Sequence, residues 1–357
     1  MFTKKLYPEQ ISGSQLDEYL YHAWYRMGQS IFTCHFLCFG ERLYSALWLQ
    51  LDLEQHQMRK HQRKLLRKNE RFRILIRPVR IDQQKEDLYQ KYRWYAFNGN
   101  LSVSLRDSLL DGKYSNIYET MECCVYDGEK LIATSFFDVG ENSMASILGI
   151  YDPDYKDFSL GYYSMVQEIK YGMEHGFKYY YPGYVVPGYP RFDYKARIGD
   201  VNYYNVGQGA WLPFETIAAS DYPLNKIANH LEELRAALER YQIKSDLYYY
   251  PLFETHLFTF WDTNYLKYPV FLWFNTFDGQ ADHLIVTYDL IKKCYVLIQC
   301  MLTGKIPTFL EELFGENNDG QAAFLEVLNI RNAAYANYDA EALAAALQGV
   351  SRLRRRK

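Results

Sequence analysis

The pair Tyr194-Lys195 closes a nineteen-residue stretch, Phe177–Lys195, that holds six tyrosines and two phenylalanines and is broken by Pro182-Gly183 and Pro187-Gly188. A lysine amine among aromatic rings can hold an anion or, once desolvated, carry a proton. Tyrosine offers a flat apolar face with a polar tip, which suits it to stacking and to donating a hydrogen bond. Such residues on so irregular a segment fit the wall of a site. Upstream, Ser159-Leu160-Gly161 opens a stretch with apolar residues at Tyr162, Met165, Val166, Ile169 and Met173, the spacing of a helix face. Amide N–H groups at a helix start can hold a phosphate or polarise a carbonyl. Glu168 lies on the same predicted helix and can relay a proton, as can Asp193. No Ser-His-Asp or Cys-His arrangement for nucleophilic catalysis is evident.

A second constellation is basic. Met58–Arg80 carries ten Lys or Arg and one acid, Glu70, and the chain ends in SRLRRRK. Arg59, Lys60, Arg63, Lys64, Arg67 and Lys68 recur at intervals that place them on adjoining faces of a helix. On a chain whose net charge is only −3, this is the footprint of a polyanion-binding face rather than of a generally basic protein. We therefore expect these six residues to hold phosphates.

The elements that must position these groups follow from the pattern. The 357 residues fit two or three domains, divided here at 1–100, 101–215 and 216–357. In the middle region YETMECCVYD, EKLIATSFFDV and SMASILGIYD read as three strands joined by the turns DGEK and GENS. The Ser159 helix follows, with Ser159 as its expected N-cap and Gly176 as its stop, and KYYYPGY begins a further strand. This α+β order matches the acetyltransferase-type (GNAT) fold, a mixed, mostly antiparallel sheet flanked by helices. In that fold two central strands splay apart and an acyl donor lies in the gap. The usual glycine-rich coenzyme A turn is missing, which leaves room for a different acyl donor. The last region begins with LNKIANHLEELRAALERYQI, a clear amphipathic helix, and is expected to be an α-rich extension. The N-terminus has no apolar run and no segment is long enough to span a bilayer, so a cytoplasmic protein without membrane contact, with its six cysteines reduced, is expected.

The middle region resembles the arginyl-tRNA–protein transferase family, including its bacterial leucyl-transferring branch. The resemblance rests on LIATSFFDV, IYDPDY, SLGYYSMVQEI, YYYPGY and the YK pair, in the family's order and spacing. WYRMG and QRKLLRKN match more loosely, so the likeness covers about residues 20–210. It departs at Tyr25-Arg26, where the family has two arginines, and at Phe192, where it has methionine. Members with more N-terminal cysteines are associated with an iron–sulfur cluster, but only Cys34 and Cys38 stand here, so no metal is expected. The resemblance implies transfer of an amino acid, arginine first and leucine next, from a tRNA to the N-terminal amine of a protein beginning with Asp or Glu. Aminoacyl-tRNA is then the donor substrate and no cofactor is implied. The ester is already activated and an α-amine has a useful neutral fraction near neutrality, so positioning and oxyanion stabilisation should dominate. Tyr181, Tyr194, Lys195 and Glu168 become the catalytic candidates. Arg26, Ser159, Leu160, Gly161, Gly183 and Tyr184 become substrate-binding candidates. Across the two sets, Arg26 and Lys195 suit the acceptor's acidic side chain, and Tyr181, Tyr184 and Tyr194 suit the terminal adenine. A FemX-like transfer or a coenzyme A-dependent one on the same fold, and a non-catalytic RNA-binding protein, are the competing readings.

Overall fold

The structure, a computed structural model, describes residues 3–39, 42–113, 115–253, 264–274, 283–305, 321–335 and 339–354. Part of the aromatic stretch after Tyr250 and the last three residues of the basic C-terminus lie outside them. Three antiparallel strands, β1 (Thr3–Leu6), β2 (Tyr25–Met27) and β3 (Ser30–Cys34), and the hairpin β4 (Phe36–Phe39) and β5 (Arg42–Ser45) form the N-terminal part, with helix α1 (Gly13–Tyr21). The central sheet has eight strands: β6 (Leu47–Asp52), β7 (Arg73–Pro78), β8 (Thr120–Asp127), β9 (Lys130–Val139), β10 (Ser143–Tyr151), β11 (Tyr179–Val185), β12 (Val201–Asn205) and β13 (Ala210–Pro213). Their spatial order is β13-β12-β6-β11-β10-β9-β8-β7. The sheet thus draws strands from both sides of residue 100: β6 pairs with β11, and β7 pairs with β8.

Helices α2 (Lys60–Lys68), α3 (Gln83–Phe97), α4 (Leu105–Leu110) and α5 (Leu160–Glu174) accompany this sheet. The strands expected at 118–127, 129–139 and 143–152 are β8, β9 and β10. Adjacent residues on a strand face opposite ways, and Cys123 and Cys124 of β8 accordingly enter two different core clusters. Within this sheet only β10 and β11 are parallel, and their pairing lasts three residues, Ser143–Ala145 against Tyr179–Tyr181. Beyond it β10 carries a bulge between Ser146 and Leu148, and β11 one between Tyr180 and Gly183. Bulges bend and twist the strand that bears them, so the two strands part. Helix α5 connects them and packs against β9 and β10 with Leu160, Val166 and Ile169 fully buried. Gly176, at φ 75°, stops the helix as expected.

The C-terminal region departs from the expected helical extension. It is a five-stranded antiparallel sheet, β14 (Ser245–Tyr249), β15 (Val270–Phe274), β16 (His283–Asp289), β17 (Cys294–Lys305) and β18 (Glu326–Tyr335), in sequential order. Among the described residues of this region the α-helices are α6 (Pro223–Arg240) and α7 (Ala340–Arg354). Segments such as YPVFLWF lack the alternation of a half-exposed strand because β15 is buried on every residue. A short apolar run of that kind does not declare its structure by periodicity. Leu224, Ile227, Leu231, Leu234 and Leu238 of α6 share one core cluster with Leu16, Tyr25 and Trp48, so the C-terminal sheet and the N-terminal strands pack as one body. No helix among the described residues is long and apolar enough to cross a membrane.

Candidate functional site

Where β10 and β11 part, a cavity of about 490 Å³ opens. Its walls come wholly from residues 92–195, among them Ser135, Ser146, Ser159, Leu160, Gly161, Glu168, Tyr194 and Lys195. The structure therefore brings together six of the sequence-derived candidates. Glu168 is completely buried. The Tyr180 hydroxyl donates to its Oε2 at 2.6 Å, and the hydroxyls of Ser135 and Ser146 stand near the carboxylate. Burial pushes the Glu168 carboxyl up to about 7, against the opposing pull of the neighbouring hydroxyls and of Lys195. The Lys195 ammonium lies over the rings of Tyr184 and Phe192, 5.4 and 5.5 Å from their centres. A Cβ on Gly183 would come within 2.8 Å of Lys195 Nζ, and Gly183 also sits at φ 95°. Glycine is needed there twice, for the backbone and for the lysine. Desolvation pulls Lys195 down to about 8, and the Glu168 charge resists that fall. A buried acid and a desolvated amine thus share one electrostatic environment with both groups near neutrality, a pattern that marks reactive sites.

Glu168 also ties stability to pH. Its folded pKa of about 7 lies above the ordinary value near about 4.3. The folded state therefore holds more protons between those values, and this group's contribution to stability falls as pH rises through that window. Glu168→Gln should melt higher relative to wild type at pH 8 than at pH 5, by thermal unfolding at both. An equal offset at both pH values would mean that Glu168 is ionised throughout.

Ser159 does not cap α5 with its side chain. It sits in the left-handed region at φ 53°, ending the short 3₁₀ turn Pro153–Phe158 and beginning α5 at once. The helix start faces the cavity without a side-chain cap, so its first amides remain available to a ligand.

The basic helix adjoins this site. His61 Nε2 and the Tyr162 hydroxyl are 2.9 Å apart, and that hydroxyl also donates to the Arg197 carbonyl at 3.1 Å. Tyr162 lines the cavity. Buried Gln62 accepts from the Arg59 amide at 2.7 Å and donates to the Ile198 carbonyl at 2.9 Å. Lys68 Nζ donates to the Asp157 carbonyl at 2.5 Å, just before Ser159. These contacts dock α2 against both the α5 start and the turn that carries Lys195. Lys60, Arg63, Lys64, Arg67 and Lys68 are exposed, while Arg59 pairs with Asp200 at 2.6 Å.

Other candidates sit elsewhere. Tyr181 alternates with Tyr180 on β11 and points away from the cavity. Its hydroxyl accepts from Gln50 Nε2 at 2.9 Å, and its ring packs near Tyr25 and Trp211. Tyr184 borders the site only through Lys195, its ring lying edge-on to Trp48 at 4.9 Å. Arg26 is buried: its guanidinium reaches Asp138 Oδ1 at 2.9 Å, Thr120 Oγ1 and the Gly28 carbonyl at 2.8 Å, and the Leu109 carbonyl. In this conformation it holds β2, β8, β9 and α4 together and does not reach the cavity. Cys34 is buried on β3, and its thiol donates to the Phe36 carbonyl at 2.9 Å. Cys38 is on β4. Among the described residues no group of three or more His, Cys, Asp or Glu is placed to hold a metal. Sequence reasoning missed Tyr180, Tyr162 and Gln62. Strand alternation would have separated Tyr180 from Tyr181, but only the fold pairs Tyr162 with His61.

Residues 55–205 match the family described as "Arginine-tRNA-protein transferase, C terminus". An aspartate/glutamate leucyltransferase of Leptospira interrogans is 28% identical over 193 residues, covering 53% of this chain and 74% of its own. That of Campylobacter jejuni is 27% identical over 157 residues, covering 42% and 65%. That of Ruegeria is 30% identical over 173 residues, covering 46% and 61%. Among solved structures, FemX aligns at a TM-score of 0.32 with 10% identity, over 53% of this chain and 65% of that one. The C-terminal domain of a putative lysylphosphatidylglycerol synthetase from Agrobacterium fabrum aligns at 0.31 with 15% identity, over 42% and 49%. The resemblance read from the motifs therefore holds: residues 55–205 match the model of the C-terminal region of the arginine-tRNA–protein transferase family.

Proposed function

We propose that the protein is an aminoacyl-tRNA–protein transferase that moves leucine from its tRNA to the N-terminal amine of a protein beginning with Asp or Glu. The observation that carries this reading is the cavity between the parted strands β10 and β11, with Lys195 and Glu168 inside it and the basic helix docked at its edge. The names of the relatives favour leucine over the arginine expected first from the motifs.

The exposed face of α2 takes the phosphates of the tRNA, and the ester enters the cavity beside the start of α5. The acceptor nitrogen attacks the ester carbonyl carbon. As the C–N bond forms, the bond from that carbon to the 3′-terminal ribose oxygen breaks. Lys195 Nζ, neutral in part at physiological pH, takes the proton that the acceptor nitrogen sheds and returns it to the departing ribose oxygen. Glu168, held by Tyr180, sets the charge that keeps the Lys195 proton exchangeable. The uncapped amides of α5 face the carbonyl oxygen as it gains charge. Lys156, exposed at the rim, is the ammonium available for the acceptor's acidic side chain.

Donor choice is tested by competition. Given equal leucyl-tRNA and arginyl-tRNA and a peptide with N-terminal Asp, the product should carry leucine, and a predominantly arginylated product would reverse the assignment. The basic helix has its own test. Arg63→Ala should weaken tRNA binding and lower the slope of log affinity against log salt by about one. An unchanged affinity and slope in a salt titration would remove α2 from the tRNA path.

A further inference from the structure

The cavity has a second wall that the chemistry above leaves unused. It is aromatic, and it comes from the end of α3 and the turn before Lys195. Tyr92 and Phe97 meet edge to face at 6.0 Å, and Tyr92 meets Tyr151 at 5.1 Å. The Arg191 guanidinium stacks over Phe97 at 3.7 Å and is fixed there by a 2.6 Å hydrogen bond from Nη2 to the Ala96 carbonyl. All four residues line the cavity, as does Tyr194, whose ring is 39% exposed. Tyr95 follows Tyr92 by three residues on α3 and is 53% exposed, but it does not line the cavity. A plane of guanidinium laid on a ring, beside exposed tyrosines, resembles neither a solvated surface nor an aliphatic pocket. A leucine side chain gains nothing from covering a guanidinium. A nucleobase gains by stacking on the rings and by the cation's attraction to its π face.

We propose that this wall, with Arg191 on Phe97 and Tyr92 beside them, is the subsite for the 3′-terminal adenine of the donor tRNA. The inference rests on the transferase reading and adds to it where the unpaired end of the tRNA lies. The ester then projects from the stacked base toward Lys195 and the start of α5, while the duplex stem runs toward α2. Adenine recognition passes from Tyr181 and Tyr184, which lie outside the cavity, to the α3 side.

Binding of uncharged tRNA tests this without involving the amino acid or the reaction. Wild-type protein should bind intact tRNA about 5- to 100-fold more tightly than the same tRNA lacking its terminal adenosine, the range expected for one stacked base. Phe97→Ala and Arg191→Lys, the second keeping the charge and removing the plane, should weaken binding of intact tRNA and leave the shortened tRNA unaffected. The shortened tRNA also reports that each variant is folded. Equal binding of both tRNAs by the wild type overturns the proposal. So does a preference unchanged in both variants, or a loss shared by both tRNAs. Failure to bind either tRNA would overturn the transferase reading together with it, whereas an absent preference alone leaves that reading standing.

Discussion

Lys195→Ala should lower the rate of transfer by about 10²- to 10⁴-fold, the usual contribution of a positioned proton carrier, and leave tRNA affinity within about twofold. The separation is the point of the experiment. Lys195 lies against Gly183 and over the rings of Tyr184 and Phe192 and lines the cavity, whereas none of the exposed cations of α2 does. On the proposed function a residue placed there meets the ester and the acceptor nitrogen, not the phosphates. Single-turnover transfer and equilibrium tRNA binding, measured on the same variant, separate the two roles. A parallel loss of both would make Lys195 a phosphate ligand. Lys195→Arg sharpens the test, because a guanidinium keeps the charge and cannot give up its proton. It should restore little of the lost rate.

Arg26→Ala should damage the protein rather than its substrate choice. Arg26 and Asp138 are both buried, and the pair is completed by Thr120 and by two backbone carbonyls. Burial pushes the Asp138 carboxyl up, against the pull of Arg26. Removing the arginine leaves that acid without its countercharge, with Oδ2 already unpartnered. Breaking a buried pair in this way costs about 3 to 5 kcal/mol, a drop in melting temperature on the order of 10 °C for a body of this size. Thermal unfolding measures it. An unchanged melting temperature with altered preference among acceptor peptides would instead return Arg26 to the substrate, where the motif alone had placed it.

The contrast between Arg26 and Lys195 shows what the sequence can carry. Both were legible as cations at family positions, and their chemistry gave no reason to separate them. Their fates differ because β2 and β9 pass close enough for Arg26 to meet Asp138, a contact 112 residues apart that no local pattern encodes. Strands β8 to β11 and helix α5 were readable because alternation, hairpin turns and the 3.6-residue period are local signals. So was the use of Ser159-Leu160-Gly161 as the helix start, though not the left-handed backbone that replaces a side-chain cap. Tyr180 and Tyr181 look alike in sequence, and only the register of β11 decides which one meets Glu168. The C-terminal sheet escaped notice for a different reason. β15 and most of β16 are buried without alternation, so their composition signalled core and nothing about geometry. The aromatic wall joins α3 to the turn at Arg191, 95 residues later, and is likewise a product of the fold alone.

The most direct measurement is the mass of the acceptor. A peptide with N-terminal Asp or Glu, incubated with leucyl-tRNA and this protein, should gain one leucine at its amino terminus. The same peptide beginning with Asn or Gln should not, and Lys195→Ala should leave the acidic peptide essentially unmodified on the same timescale. An acceptor of unchanged mass with both leucyl-tRNA and arginyl-tRNA, under conditions where the protein binds tRNA, would contradict the account.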